Sequence, residues 1–227
     1  MAPTPLPTPK IEIAPGLWLD ARRALWIAPL RALVVADLHW GYAAAHRAAG
    51  NLLPAWGDAE IARRLRALLA DYAPRELIWL GDSLHTLAGR GAAEAFLREH
   101  ADVALLEVTV LAGNHDHRWS RATARTLTRG KFYFHHGDLA AANNAIADDA
   151  LEIIGHHHPA ATWRDGAGGR VKLPALVASP RRLVLPAFSP WAGGAPWNAR
   201  LAADEKLWAI APRRIFAVRN RESCLKP

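Results

Sequence analysis

Cysteine is nearly absent. Cys224 is the single one in 227 residues, which excludes an intrachain disulfide and makes a reducing, cytoplasmic setting the expectation. Long apolar runs are missing too: no window approaches the roughly 18 apolar residues that a membrane-spanning helix needs, so no membrane partner is expected. The opening MAPTPLPTPK is rich in proline and lacks the apolar core of a signal peptide. It reads as a disordered leader over 1–10, followed by a single domain over 11–227. Neither repeats nor other low-complexity segments occur.

Acidic residues are fewer than basic ones, 21 against 28, for a net charge of +7. Such an excess suits a polyanionic partner. It does not identify one, because arginine greatly outnumbers lysine and alanine is abundant, a composition that a GC-rich genome produces without selection for binding.

What the chain does have is a strand ending that recurs. Ala32 to Ala36 runs into Asp37, Leu38 and His39; Glu76 to Leu80 into Gly81 and Asp82; Leu105 to Ala112 into Gly113, Asn114, His115 and Asp116. Phe132 to Phe134 leads into His135, His136 and Gly137, and Leu151 to Ile154 into Gly155, His156, His157 and His158. Between the first two runs, Ile61, Leu65, Leu68, Leu69 and Tyr72 follow the spacing of one helical face, with Asp58 as the expected N-cap. Strands alternating with helices predict an α/β protein with a largely parallel, helix-covered sheet. In such sheets the loops beyond the carboxyl ends of the strands gather on one edge, where ligands bind. Short strands at Ala175 to Ala178, Leu183 to Leu185 and Ile215 to Val218 predict a second, antiparallel sheet that completes a sandwich.

Asp37-x-His39 and His156-x-His158 place like-facing side chains two apart on an extended backbone, which turns His157 the other way. With Asp82, Asn114 and His136 they make seven nitrogen and oxygen donors and no sulfur. That is too many for one tetrahedral zinc and suits two divalent ions sharing a carboxylate, manganese first, with iron and zinc as alternatives.

The ordered series Asp37-x-His39-x-Gly41, Gly81-Asp82-x-x-His85, Gly113-Asn114-His115-Asp116, His136-Gly137 and Gly155-His156-x-His158 resembles the calcineurin-like metallophosphoesterases. Each single piece is weak; five in this order, each after a predicted strand, are specific. The GDxxH form, the stretch GYAAAHRAAGNLLP and the stretch LPAFSPWAGG resemble the ligase-associated DNA-damage-response endonucleases within that superfamily. The resemblance implies a four-layer α/β/β/α sandwich of the metallo-dependent phosphatase type. It implies that Asp37, His39 and His158 hold one cation, that Asn114, His136 and His156 hold the other, and that Asp82 bridges them. His136 is preferred to His135 because the histidine of the family directly precedes the glycine.

That implied function is a phosphodiesterase, first a nuclease acting on DNA, single-stranded or damaged, with in-line attack by hydroxide held between two cations. His115 would protonate the leaving oxygen and Asp116 would orient its ring. His85 is expected either beside the metal site or capping a helix. His46 and His117 are expected at the surface or beside the ligands, and Trp40 and Trp119 packed over the site from the core side, with stacking on a base as the alternative. A DNA ligase or helicase partner follows from family analogy alone. The alternatives are a nucleotide or nucleotide-lipid pyrophosphatase or monoesterase, and a non-enzymatic scaffold, which would be expected to have lost ligands or His115.

Outside these motifs, Arg118, Arg121, Arg125 and Arg129 recur at helical steps, and no Asp or Glu occurs between Asp116 and Asp138. Were Ser120 to cap a helix, they would form one stripe, either a track for a phosphate backbone or a solvated face.

Overall fold

The computed structural model describes residues 8–101, 106–116, 118–138, 147–164 and 169–218. Residues 1–7 of the expected leader, His117 and Cys224 lie outside them. Lys10 already belongs to the first strand.

The first sheet begins with a meander that the sequence reading did not anticipate: β1 (Lys10–Ala14), β2 (Leu17–Asp20), β3 (Ala24–Ile27) and β4 (Ala32–Val35), each antiparallel to the next. After β4 come α1 (Tyr42–Ala48) and α2 (Gly57–Tyr72), then β5 (Glu76–Leu80), α3 (Arg90–Ala101) and β6 (Glu107–Leu111). β4, β5 and β6 are parallel neighbours. The sheet is therefore half antiparallel, because tight turns between β1 and β4 leave no length for helical crossovers.

The second sheet holds β7 (Thr126–Arg129), β8 (Phe132–His135), β9 (Leu151–Ile154), β10 (Pro159–Arg164), β11 (Arg170–Ala178), β12 (Arg182–Val184), β13 (Ala195–Pro196), β14 (Lys206–Ala211) and β15 (Arg214–Val218). Its order is β13-β10-β11-β12-β9-β8-β7, with β14 paired to β11 and β15. It is mixed, not antiparallel as expected: β8, β9 and β12 run parallel.

Alternation assigns the faces. Leu33 and Val35 of β4 and Leu77 and Trp79 of β5 pack on Ile61, Leu65 and Leu68 of α2 and on Phe96 of α3. The residues between them, Ala32, Val34, Ile78 and Leu80, pack on Phe134, Ile153, Leu176 and Leu183 of the second sheet. Strands covered on both faces read as continuous apolar runs, which is why the five were visible in the sequence. Each fully buried Leu or Ile of α2 contributes about 1.5–3 kcal/mol, enough to dock the helix. On the outer face of the second sheet, Trp197 and Leu201 pack against Ala161, Val177 and Leu207. The two-sheet α/β sandwich is thus the one expected.

α2 starts at Gly57, and Trp56, not Asp58, occupies the cap position, two residues earlier than expected. The Asp58 carboxylate instead accepts the Gly41 N–H at 3.0 and 3.2 Å, tying the start of α1 to α2. One segment binds the two sheets at the site edge: Leu185 N–H donates to Ile154 O at the end of β9, and Phe188 N–H to Ala36 O at the end of β4.

The arginine helix does not exist. Trp119 and Ala122 are buried in a turn, Ala112 N–H donates to Ala124 O, and the β-branched alternation Thr126-Leu127-Thr128 forms β7. Arg125 pairs with Asp138 at 2.8 Å and Arg129 with Glu76 at 3.0 Å, whereas Arg118 and Arg121 are exposed. No common stripe results.

Candidate metal centre

The loops after β4, β5, β6, β8 and β9 meet, although their geometry is not the extended one expected. Asp37 (φ 56), His39 (φ 52), Asp82 (φ 46), His156 (φ 66) and His158 (φ 44) all adopt left-handed backbone. They are five of the eight non-glycine residues with positive φ among the described residues. A non-glycine residue in that region costs about 1–3 kcal/mol and persists where its surroundings over-determine it. Here the surroundings are backbone hydrogen bonds between tips. Asp37 N–H donates to Gly81 O at 3.2 Å, His39 N–H to Asp82 O at 3.0 Å and Gly155 N–H to His136 O at 2.9 Å. The Asp37 carboxylate accepts His156 N–H at 3.0 and 3.1 Å, and Asp82 Oδ1 accepts His115 N–H at 2.9 Å. Gly113 lies so close to Asp82 that a Cβ there would sit 2.2 Å from Oδ1.

The seven donors form two adjoining groups. In one, Asp37, His39 and His158 present ligand atoms within 4.8 Å of one another; His158 Nε2 is 3.3 Å from both His39 Nε2 and Asp37 Oδ1. In the other, Asp82, His136 and His156 do the same; His136 Nε2 is 3.3 Å from Asp82 Oδ1 and 3.2 Å from both His156 Nδ1 and Asn114 Oδ1. His136 Nδ1, 3.9 Å from Asp37 Oδ1, links the groups. Of the histidines left out, His135 Nε2 is engaged with Glu152 at 2.7 Å. The ring of His157 packs between His156 and Trp197.

Several observations fit this pocket to cations. With ligand bonds of about 2.0–2.2 Å, donors on one ion lie about 3.0–3.4 Å apart, and the separations here fall in that interval. Asp37, Asp82 and His136 are buried, which is costly for carboxylates without counter-charge. His39 Nδ1 is buried without a hydrogen-bond partner. Burial holds the His39 imidazole down at about 4, against the pull of Asp37 and Asp82, so it is neutral and able to ligate. Burial alone would also lower His136, but the hydrogen bond to Asp82 and the charges of Asp37 and Asp82 outweigh it and raise it to about 9. Burial works against the charge of Asp82 as well, and His136, His115 N–H and His39 overcome it, leaving the carboxyl at about 2. His158 is raised in the same way, with Asp37 prevailing over burial.

At the mouth, His115 is partly exposed, its Nε2 3.9 Å from Asp82 Oδ2. Its Nδ1 lies 3.0 Å from His85 O, so the carbonyl fixes Nδ1–H and leaves Nε2 toward the site. Asp116 does not orient that ring. Its buried carboxylate accepts the N–H groups of Ser83 (3.1 Å), Leu84 (2.9 Å) and Gly113 (3.1 Å), clamping the β5 and β6 tips together. The His85 ring stacks on His115 at 5.3 Å and lies 5.5 Å from His39. It is beside the centre, not a helix cap. Trp40 and Trp119 are buried behind the site, as expected.

Two facing sheets that converge acid and imidazole groups at their strand ends define a metal-dependent hydrolase. The family model for calcineurin-like phosphoesterases matches residues 30–178, a span that contains all seven donors. The chain belongs to that family and is a metal-dependent phosphoesterase. Among solved structures, the Pseudomonas putida nuclease MPE is similar with a TM-score of 0.72 and 25% identity, over 93% of this chain and 100% of that one. No curated protein sequence matches. Among the described residues no helix is long and apolar enough to cross a membrane.

Sequence reasoning missed the clamp of Asp116, the His85 carbonyl and the aromatic groups around Tyr42 and Trp191. Backbone acceptors leave no trace in a sequence. The aromatics did leave one, in GYAAAH and SPW.

Proposed function

We propose that this protein is a phosphodiesterase that cleaves nucleic acid, DNA first, with two divalent cations, manganese before iron or zinc. The observation that carries the reading is the pair of donor groups with His115 at their mouth. The similarity to the Pseudomonas putida nuclease supports the choice of substrate.

Asp37, His39 and His158 would hold one cation, Asn114, His136 and His156 the other, and Asp82 both. Two bound cations supply positive charge against the phosphate oxygens and a water acidic enough to act as nucleophile near neutral pH. The remaining steps belong to side chains. The clamp at Asp116 keeps Asn114 and His115 in register with Asp82. His115, anchored through Nδ1, turns Nε2 to the phosphate, where a proton held on it passes to the leaving oxygen. Burial of the strands behind the tips keeps these groups from relaxing as charge moves.

The test is a manganese-supplemented assay of a chromogenic monoester, a chromogenic diester, single-stranded DNA and duplex DNA, with His115→Ala as control. Cleavage of the diester and of DNA is expected. Activity on the monoester alone would remove the nuclease reading.

A further inference from the structure

A continuous series of aromatic rings leads away from the metal centre. Tyr42 lies 4.5 Å from His85, whose ring neighbours both His39 and His115. Tyr42 in turn stacks on His46 at 4.4 Å and 28°, and on Trp191 at 6.4 Å and 12°. Trp191 meets Trp56 at 4.6 Å. Trp56 is 50% exposed, and Leu52, four residues earlier in the chain, is 95% exposed.

The fold builds this series deliberately. Gly57 opens α2 with no side chain because a Cβ there would lie 2.0 Å from Trp191 Nε1. The Asp58 carboxylate fastens α2 to Gly41, the residue before Tyr42. The Trp191 backbone N–H donates to Ser189 Oγ, and Ser189 N–H donates to Asp37 O, so the backbone that carries the indole is registered to the centre itself. Arg47 is exposed on α1, and the acidic groups in the first turn of α2 are already engaged, Asp58 with Gly41 N–H and Glu60 with Arg63 and Arg64.

We infer that Tyr42, Trp191 and Trp56 form a base-stacking platform for an unpaired polynucleotide strand whose phosphate lies at the metal centre. This deepens the proposed function and rests on it. Tyr42 and Trp191 lie 12° from parallel and Trp56 is tilted 34° from Trp191; such flat faces match those of nucleobases, and every base has one, so the platform selects single strands without selecting sequence. Bases in a duplex are already stacked and do not reach it. An acyl chain would call for an aliphatic groove, whereas the series that leads from the centre is built of aromatic rings.

The first measurement is made on metal-free protein, so it does not depend on catalysis. A short labelled oligothymidylate is titrated by anisotropy against the same strand with abasic residues. Wild type is expected to prefer the base-bearing strand about tenfold, with Trp56→Ala and Tyr42→Ala each losing about tenfold in affinity and Trp56→Phe keeping most of it. Trp56→Ala carries the test should Tyr42→Ala lower the melting temperature. Equal binding of the two strands, or unchanged affinity in Trp56→Ala, overturns the platform. So does loss of binding to anionic phospholipid vesicles in Trp56→Ala while oligothymidylate binding is unaltered, which would assign the surface to lipid. Failure of the manganese-loaded wild type on the chromogenic diester and on DNA sinks the phosphodiesterase reading instead, separately from the binding ratio.

Discussion

His39 Nε2 and His158 Nε2 face each other across 3.3 Å, from tips 119 residues apart in the chain. Two ring nitrogens at that distance either share a proton or share an ion. Because His39 is held neutral by burial, the pair is poised to take up a cation. Chelator treatment is therefore expected to destabilise the protein and manganese to restore it, by about 2.7 kcal/mol at a hundred times Kd. Scanning calorimetry across a manganese titration checks this. A melting temperature indifferent to manganese and to His158→Ala would mean that the pair holds no ion.

The metal-free protein should have a stability maximum near pH 6.5. His39 titrates at about 4 when folded and near 6.5 when unfolded, so its contribution is complete above 6.5 and lost as pH falls toward 4. Asp82 extends the acid limb, its contribution present above 3.8 and lost toward 2. His136 acts in the opposite sense, fully stabilising below 6.5 and losing that contribution as pH rises through about 9, with His158 shifted in the same direction. Bound cations displace those protons, so the alkaline limb should vanish in loaded protein. Urea melts between pH 4 and 9, with and without manganese, decide it, and an alkaline limb that survives metal would contradict it.

Replacing His115 by alanine should lower kcat by about 10²–10⁴-fold while leaving the unfolding free energy within about 0.5 kcal/mol of wild type, since the ring is partly exposed. The backbone N–H that holds Asp82 is retained in the variant. Assays on a diester with a good leaving group should show a smaller loss than on DNA, because a stable leaving anion needs no proton. Equal losses on both would take the proton-donor role away from His115.

Much of the centre was legible before the structure because its donors follow apolar runs buried on both faces, such as ALVV and ELIWL. Such runs announce strands, and strand ends announce loops. What was not legible was the backbone. The spacing Asp37-x-His39 suggested an extended segment, whereas both residues are left-handed, a state that only contacts between distant tips enforce. The same limit explains the arginine stripe: periodicity suggested a helix over 118–129, but burial of Trp119 and Ala122 and pairing of Thr126–Arg129 with Phe132–His135 prevailed. Tertiary contacts override local spacing when the local preference is worth only tenths of a kcal/mol per pair.

Asp116 offers the sharpest separation between holding the site and acting in it. Its carboxylate satisfies three buried N–H groups, and removing it leaves each unpaired at about 1–3 kcal/mol. Asp116→Ala should therefore lose at least about 3 kcal/mol, a fall of about 6–12 °C for a chain of this size. Asp116→Asn keeps one carbonyl acceptor and should fall between that and wild type. Because the β5 and β6 tips are tied through this group, manganese affinity should weaken in step with melting temperature across the three proteins, as the donors Asp82 and Asn114 lose their register. A variant that melts like wild type yet loses turnover would break that correlation. Asp116 would then belong to the chemistry, and the ring of His115 would have to be steered from a different side than the His85 carbonyl.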